Sequence, residues 1–184
     1  MAAKTARCAF CHGEKGISGN PIWPSLAGLD AGYLKKRMES YRSSENTSPN
    51  ALQMRFVLNG LEEDEIDTVA AYYSALEPAA PQGTASPGGA RIYHQGVGDT
   101  VAPCASCHGG NGEGNVDLNA PRLAGQSAHY MSKQLAAYAA GLRPDNDSTM
   151  AETAGALSPD QRAAVSTYLQ ALLPTASGAL SDDQ

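Results

Sequence analysis

Apolar residues return every three or four positions towards the end of the first half of the chain, at Ile66, Val69, Ala70 and Tyr73. This spacing predicts the buried face of an amphipathic helix that begins near Glu62. The acidic run 62–65 supports that start, because carboxylates stabilise the positive end of a helix dipole.

Two further helix starts are marked by capping residues. Asp30 can cap a helix that runs to about Ser43. In the second half, Ser158 is a candidate cap, Pro159 suits the first helical position, and Gln161 completes a capping box. No stretch of useful length alternates between apolar and polar residues, so we predict an all-α fold.

The two halves of the chain repeat one another in order. The pentapeptide Cys8–His12 recurs as Cys104–His108, 96 positions later. The segment Pro24–Gly28 recurs as Pro121–Gly125, 97 positions later. Further pairs at these two offsets are Tyr33 and Tyr130, Tyr41 and Tyr138, Met54 and Met150, Leu61 and Leu157, and Tyr72 and Tyr168. So many ordered matches indicate two copies of one unit.

The repeat divides the chain. We predict an N-terminal domain over residues 1–80, a linker over 81–90, a C-terminal domain over 91–174 and a polar tail over 175–184. The stretch 78–90 is dominated by Pro, Gly, Ala and Ser, and we predict that it holds neither helix nor strand.

Length and charge restrict the function. The 184 residues allow one or two domains. A formal net charge of −6 at pH 7 disfavours nucleic acid as a partner and favours proteins with basic or mixed-charge patches. No stretch approaches the roughly 20 apolar residues of a membrane span, and no signal peptide is visible. We interpret Met1 as an added start on a mature or trimmed chain.

All four cysteines lie in Cys-x-x-Cys-His motifs, the attachment sequence of c-type haem. Two thiols three positions apart lie on one side of a helical turn and can form thioethers with both vinyl groups of one haem, while the adjacent His supplies a nitrogen ligand to iron. The alternatives are a zinc site, whose two cysteine pairs are usually much closer in sequence, and a thioredoxin-like dithiol, which needs a strand–helix setting. The predicted attachment and proximal-ligand residues are Cys8, Cys11 and His12 for one haem and Cys104, Cys107 and His108 for the other.

A second iron ligand decides whether each haem is closed to small molecules. Met54 and Met150 correspond to each other in the repeat, and each lies seven residues before a matched leucine. Met38 and Met131 each correspond to a leucine, which favours packing. We therefore predict Met54 as the second ligand of the first haem and Met150 as that of the second. The alternative is that both are core residues.

Other residues receive secondary roles. A loop carbonyl at Pro24 and at Pro121 is expected to accept the ring N–H of the proximal histidine and to fix its orientation. His94 and His129 lack counterparts and are predicted to be structural or solvated. Candidates for contact with the haem propionates, with packing as the alternative, are Trp23, Tyr33, Arg122 and Tyr130.

At this point each unit resembles a class I cytochrome c, and the tandem pair resembles the dihaem cytochrome c4 family. The motif order carries the resemblance: Cys-x-x-Cys-His, then Pro-x-Leu-Ala-Gly, then Met before a last helix with aromatic residues. The segments 27–33, 61–73 and 104–114 are especially similar, and the resemblance covers roughly residues 3–174. It implies an all-α chain of two tandem haem domains joined by a short Pro/Gly-rich linker. The departure is at the N-terminus, where family members usually have a longer first helix before Cys8.

The resemblance implies a bacterial periplasmic electron carrier with two covalently bound c-type haems and no enzyme activity. Its expected partners are redox proteins, namely a cytochrome bc complex, a donor cytochrome or cupredoxin-like protein, and a terminal oxidase. A loose association with a membrane is compatible with this role, and the oligomeric state is left open. Two rival functions remain. The chain could be the electron-accepting subunit of a larger dehydrogenase, such as a flavin-linked sulfide dehydrogenase. A dihaem peroxidase, a reductase or a gas sensor would need an open iron.

Overall fold

The computed structural model describes residues 2–144 and 148–173, and this part of the chain is helical apart from two isolated β-bridges. Its helices in chain order are α1 (Ala2–His12), α2 (Ala31–Arg42), α3 (Ala51–Leu58), α4 (Glu63–Ser74), α5 (Pro87–Gln95), α6 (Ala105–His108), α7 (Ala128–Ala139), α8 (Thr149–Ala156) and α9 (Pro159–Gln170). The prediction of an all-α fold is confirmed. The predicted polar tail lies outside the described residues.

Each half forms its own helical unit. In unit 1, α2 packs against α3 and α4, and α1 contacts α4. In unit 2, α7 packs against α8 and α9, and α5 packs against α9. The core of unit 1 is formed by Leu29, Leu34, Met38, Leu58, Leu61, Ile66, Val69, Ala70 and Tyr73. The core of unit 2 is formed by Ile92, Tyr93, Val101, Met131, Leu157, Val165, Tyr168 and Leu169.

The predicted helix starts are confirmed by their caps. The Asp30 carboxylate accepts a hydrogen bond from the Tyr33 backbone N–H at 2.8 Å. Ser158 and Gln161 form the expected capping box at the start of α9. The start of α4 also has a capping box, in which the Glu65 carboxylate accepts from the Glu62 backbone N–H at 3.0 Å. The acidic run 62–65 therefore accepts hydrogen bonds from backbone donors at this terminus, and its charges also stabilise the positive end of the helix dipole.

The prediction that residues 78–90 hold no helix is wrong for their last part, because α5 begins at Pro87. The Ser86 hydroxyl accepts from the Gly89 backbone N–H at 3.1 Å, so a Ser-Pro pair within the Pro/Gly-rich stretch is a helix start. A Cβ atom at Gly89 would lie 2.1 Å from the Ala164 carbonyl oxygen. Glycine therefore permits the close packing of α5 on α9. The domain limits themselves stay predictions.

The two units are in contact. The Gln126 side chain pairs with the backbone of Ser25, accepting from its N–H at 3.0 Å and donating to its carbonyl at 2.9 Å. The Thr47 backbone N–H donates to the carbonyl of Leu142 at 3.0 Å. Two stretches nearly a hundred residues apart in sequence are thus held side by side. In the described part of the chain, no helix has both the length and the apolarity needed to cross a membrane.

Candidate functional site

One cavity, of about 290 Å³, is lined by residues from both units. Both Cys-x-x-Cys-His motifs face it, and so do Met54 and Met150. Its walls are mainly apolar side chains of the two cores, with tyrosine and arginine side chains between them. The fold therefore gathers the two sets of candidate ligands around one space.

The two motif histidines are buried and held in the same way. The ring Nδ1–H of His12 donates to the Pro24 carbonyl at 2.8 Å, and that of His108 donates to the Pro121 carbonyl at 2.9 Å. The hydrogen bonds expected at the two prolines are thus present, and the role of these carbonyls beside a haem ligand stays a prediction. Burial lowers the pKa of both histidines, against the opposing effect of the carbonyl bonds. Each ring is then neutral with its proton on Nδ1, which leaves the Nε2 lone pair for a metal.

The four cysteines form no disulfide and line the cavity in two pairs. Cys8 and Cys104 are partly buried, and burial raises the pKa of each thiol. Among residues 2–144 and 148–173, no group of three or more His, Cys, Asp or Glu side chains is placed to hold a metal ion. The two cysteine pairs remain apart, each beside its own histidine.

The cavity is lined by the two methionines predicted as ligands and also by two others. Met54 on α3 and Met150 on α8 line the cavity, and Met54 packs against the core of unit 1. Met38 and Met131 line it as well, but both are core residues, exposed by 9% and 6%. Cavity lining alone does not separate ligands from packing residues, so the assignment of Met54 and Met150 stays a prediction.

The candidate contacts with the haem propionates are brought together at the cavity, which is lined by Trp23, Tyr33, Arg122 and Tyr130. The two unmatched histidines lie elsewhere. His94 Nε2 is hydrogen-bonded to the Tyr168 hydroxyl at 2.8 Å, and His129 is exposed. Their predicted structural and solvated roles agree with these positions.

Sequence reasoning missed Arg143, which is 4% exposed and lines the cavity. Its Nη2 donates to the Tyr33 hydroxyl at 3.0 Å, and its Nη1 donates to the Tyr130 hydroxyl at 3.4 Å and to the Gln134 side-chain oxygen. The guanidinium also lies 4.7 Å from the ring centroid of Tyr138. The repeat gives no signal for Arg143, because the corresponding position in unit 1, position 46, is Asn.

Arg37 on α2 is a half-buried cation of unit 1 that lines the same cavity. Its guanidinium lies 5.3 Å from the ring centroid of Tyr41, the counterpart of Tyr138. The Nε and Nη2 atoms of Arg37 are buried without a hydrogen-bond partner among the described residues. Each unit thus faces the cavity with one guanidinium stacked on the same repeat position.

These features fit a pair of covalently attached haems. Haem is a large apolar ring with two carboxylates, and the cavity combines apolar walls with partly unsatisfied guanidinium donors. Two neutral imidazoles and two pairs of cysteine side chains supply one nitrogen ligand and two attachment points for each haem.

Comparison with known proteins agrees with this geometry. The family model for Cytochrome c matches residues 2–77 and again residues 89–173. The cytochrome c4 of Azotobacter vinelandii is 34% identical over 182 residues, covering 92% of this chain and 86% of that protein. A thiosulfate dehydrogenase electron acceptor of Stutzerimonas stutzeri (strain A1501) is 37% identical over 169 residues, covering 88% of this chain and 76% of that protein.

A solved structure has the same fold. Reduced recombinant cytochrome c4 from Pseudomonas stutzeri superimposes with a TM-score of 0.83 at 31% identity, covering 92% of this chain and 95% of that one. The chain therefore belongs to the cytochrome c4 family of two-domain cytochromes c, binds two covalent c-type haems and transfers electrons.

Proposed function

We propose that the chain is a periplasmic carrier that takes electrons from a respiratory donor, such as a cytochrome bc complex, and delivers them to a terminal oxidase. The observation that carries the proposal is the duplicated ligand set around one cavity. Each unit contributes a histidine held by a proline carbonyl, two thiols and a methionine. A thioether sulfur as the second ligand leaves no vacant position on iron and raises its reduction potential.

The roles of the residues follow from this ligand set. Cys8 and Cys11 attach one haem, and Cys104 and Cys107 attach the other. When bound, the haems supply one-electron oxidation and reduction at iron. The bonds from His12 to Pro24 and from His108 to Pro121 fix the tautomer and the orientation of each ring and increase its basicity. Met54 and Met150 would each supply the second ligand to one iron.

A second function is favoured by one of the relatives. The protein of Stutzerimonas stutzeri with 37% identity is named a thiosulfate dehydrogenase electron acceptor. The present chain would then receive its electrons from a dehydrogenase of that kind. The two functions share the haem sites and differ only in the donor, so the partner surface distinguishes them.

Unit 1 presents an apolar surface beside its attachment motif. Phe10 on α1 is 85% exposed, and Leu52 and Phe56 on α3 are 77% and 82% exposed. Arg7, which donates to the Val57 carbonyl at 3.5 Å, brings α1 and α3 together at this surface. Exposed aromatic groups in such a cluster are typical of a protein contact surface.

Unit 2 has polar residues at the matched positions, namely Ser106, Ser148 and Glu152. We therefore expect the partner to contact unit 1, through an apolar surface with acidic groups facing Arg7. Electron-transfer encounters bury little area, so a few exposed side chains are sufficient for such a contact.

The test is a visible spectrum of the purified haem-loaded protein, oxidised and reduced, with a pyridine haemochrome count and added carbon monoxide. We expect two haems per chain, the weak red absorption band of a methionine–iron bond, and no response to carbon monoxide. Carbon monoxide binding at either haem would contradict the carrier function and favour a peroxidase or reductase. Rates of reduction by a purified cytochrome bc complex and by a thiosulfate dehydrogenase then separate the two donors.

A further inference from the structure

Arg143 retains donors that its protein neighbours do not use. A guanidinium carries five N–H bonds. Three of them are directed to the Tyr130 hydroxyl, the Gln134 side-chain oxygen and the Tyr33 hydroxyl. The Nε–H group has no hydrogen-bond partner within the described residues. Two donors of the guanidinium therefore remain unused, namely Nε–H and one hydrogen on Nη2. Nε and Nη2 form the edge of the guanidinium that binds a carboxylate through two parallel hydrogen bonds.

The charge of Arg143 also lacks a counter-ion among the described residues. Its neighbours are phenols and an amide, and no carboxylate is paired with it. An arginine stays protonated in a protein, so the positive charge remains when the side chain is 4% exposed. A buried charge is strongly destabilising unless it is paired. The cavity in front of Arg143 therefore offers an unsatisfied donor and a positive charge to an anion, and the haem carboxylates are anions that this protein binds.

One of the partners of Arg143 belongs to the other unit. Tyr33 lies on α2 of unit 1, whereas Arg143 lies in the segment between α7 and α8 of unit 2. Arg37, the half-buried cation of unit 1, stacks on Tyr41 of its own unit. The units therefore use these two guanidinium groups differently, and Arg143 makes one of the hydrogen bonds that cross between the units.

We propose that Arg143 and Tyr33 form a carboxylate site shared by the two units, in which the free Nε–Nη2 edge binds a haem carboxylate and Tyr33 holds the guanidinium in position. A fixed positive charge near a haem destabilises ferric iron more than ferrous iron, and it therefore raises the reduction potential. Through Tyr33, unit 1 sets the position of a charge that unit 2 supplies. Arg143 would contact the haem carboxylate without ligating iron, and Tyr33 is the positioning residue.

The experiment measures both reduction potentials of the haem-loaded protein by spectroelectrochemical titration. We expect Arg143→Gln to lower at least one potential, and Arg143→Lys, which keeps the charge but loses the bidentate edge, to lower it less. Tyr33→Phe should shift the same potential in the same direction. In the double variant the two shifts should not add, because both changes act on one group.

Matched controls separate this site from general effects. Arg91→Gln removes the same charge from an exposed position on α5, and Tyr72→Phe removes a hydroxyl from a partly buried tyrosine of α4 that is not among the cavity-lining residues. Both are expected to leave the two potentials close to those of the wild type. If Arg143→Gln does not accumulate with haem, the Arg143→Lys and Tyr33→Phe variants provide the same comparison.

Unchanged potentials in Arg143→Gln, or fully additive shifts in the double variant, would overturn the proposal. The inference rests on the proposed electron-transfer function, and the methionine–iron band is recorded for every variant. Loss of that band from the wild type would contradict the ligand assignment, whereas unchanged potentials with the band intact would contradict the shared carboxylate site alone.

Discussion

The two units share a repeat, yet they build equivalent features from different positions. Unit 1 places a half-buried guanidinium on α2 at Arg37, where unit 2 has Gln134. Unit 2 places a buried guanidinium at Arg143, where unit 1 has Asn46. In both cases the guanidinium stacks on the same tyrosine of the repeat. The cation that stacks on this tyrosine thus comes from a different position of the repeat in each unit.

The fully buried tyrosines differ in a similar way. Unit 1 buries Tyr73 of α4, and unit 2 buries Tyr93 of α5. Position 169 of unit 2, which matches Tyr73, is Leu. The comparison teaches that each unit has a fully buried tyrosine and a guanidinium stacked on the same tyrosine of the repeat, but takes them from different positions of the repeat.

The largest effect is expected from the ligands, where the two units should behave alike. Met54→Ala and Met150→Ala should each open one iron, because each change removes a thioether sulfur and leaves a gap. Each variant should lose about half of the red absorption band, bind carbon monoxide at one haem and lower one reduction potential.

Met38→Leu and Met131→Leu are the controls, since each introduces the residue found at the matched position. They should keep both bands. If Met54→Ala keeps the whole band while Met150→Ala loses half, the two units are not equivalent in ligation.

The packing of α5 on α9 should make Gly89 and Gly88 respond differently. A Cβ atom at Gly89 would lie 2.1 Å from the Ala164 carbonyl oxygen, whereas at Gly88 the nearest atom would be the Ser86 hydroxyl oxygen at 3.9 Å. Gly89→Ala should lower the free energy of unfolding by about 1–3 kcal/mol through overpacking. Gly88→Ala should raise it by about 0.5–1 kcal/mol through higher helix propensity. Denaturant unfolding of both variants checks this, and equal effects would contradict the close contact.

The contribution of the buried Tyr93 hydroxyl to stability can be compared with that of a less buried tyrosine hydroxyl. The Tyr93 hydroxyl donates to the Gly109 carbonyl at 2.5 Å, next to the second attachment motif. Tyr93→Phe should therefore lower the free energy of unfolding by about 1–2 kcal/mol, because a part-buried carbonyl loses its donor. Chemical denaturation gives the value. Tyr72→Phe on α4 changes a less buried hydroxyl and should cost less.

The smallest effect on stability is expected at the exposed surface of unit 1. Phe56→Glu introduces the residue type found at position 152 of unit 2 and should change the free energy of unfolding by no more than about 0.5 kcal/mol. Its effect should be on partner encounter. We expect reduction by a purified cytochrome bc complex to slow about fivefold, which corresponds to about 1 kcal/mol at a contact residue.

The control for this surface is the reductant. Reduction by ascorbate needs no docking surface and should keep its rate in Phe56→Glu. The matched variant Glu152→Gln in unit 2 should leave both rates unchanged. Slower reduction by the complex in Glu152→Gln than in Phe56→Glu would place the contact on unit 2 instead.

Much of the site could be predicted because its chemistry is local in sequence. The attachment motifs, the caps at Asp30 and Ser158 and the proline segments each occupy a few consecutive residues, and the duplication showed which of them recur. The helix at Pro87 was missed because Pro and Gly were read as linker signals. In this helix Gly89 permits close packing against α9. That contact involves residues far along the chain, so the local sequence does not reveal it.

By itself the sequence determined the two haem attachment motifs with their histidines, the helix starts and the repeat, since thioether spacing and capping act over three or four residues. Only the tertiary structure decided that the two motifs line one cavity, that Arg143 is a buried cation and Arg37 a half-buried one, and that Tyr33 reaches Arg143 in the other unit. The physical reason is that the burial of a charged side chain depends on the residues that surround it in the folded protein. Its surroundings are formed by residues more than a hundred positions apart, which only the packing of the units brings together.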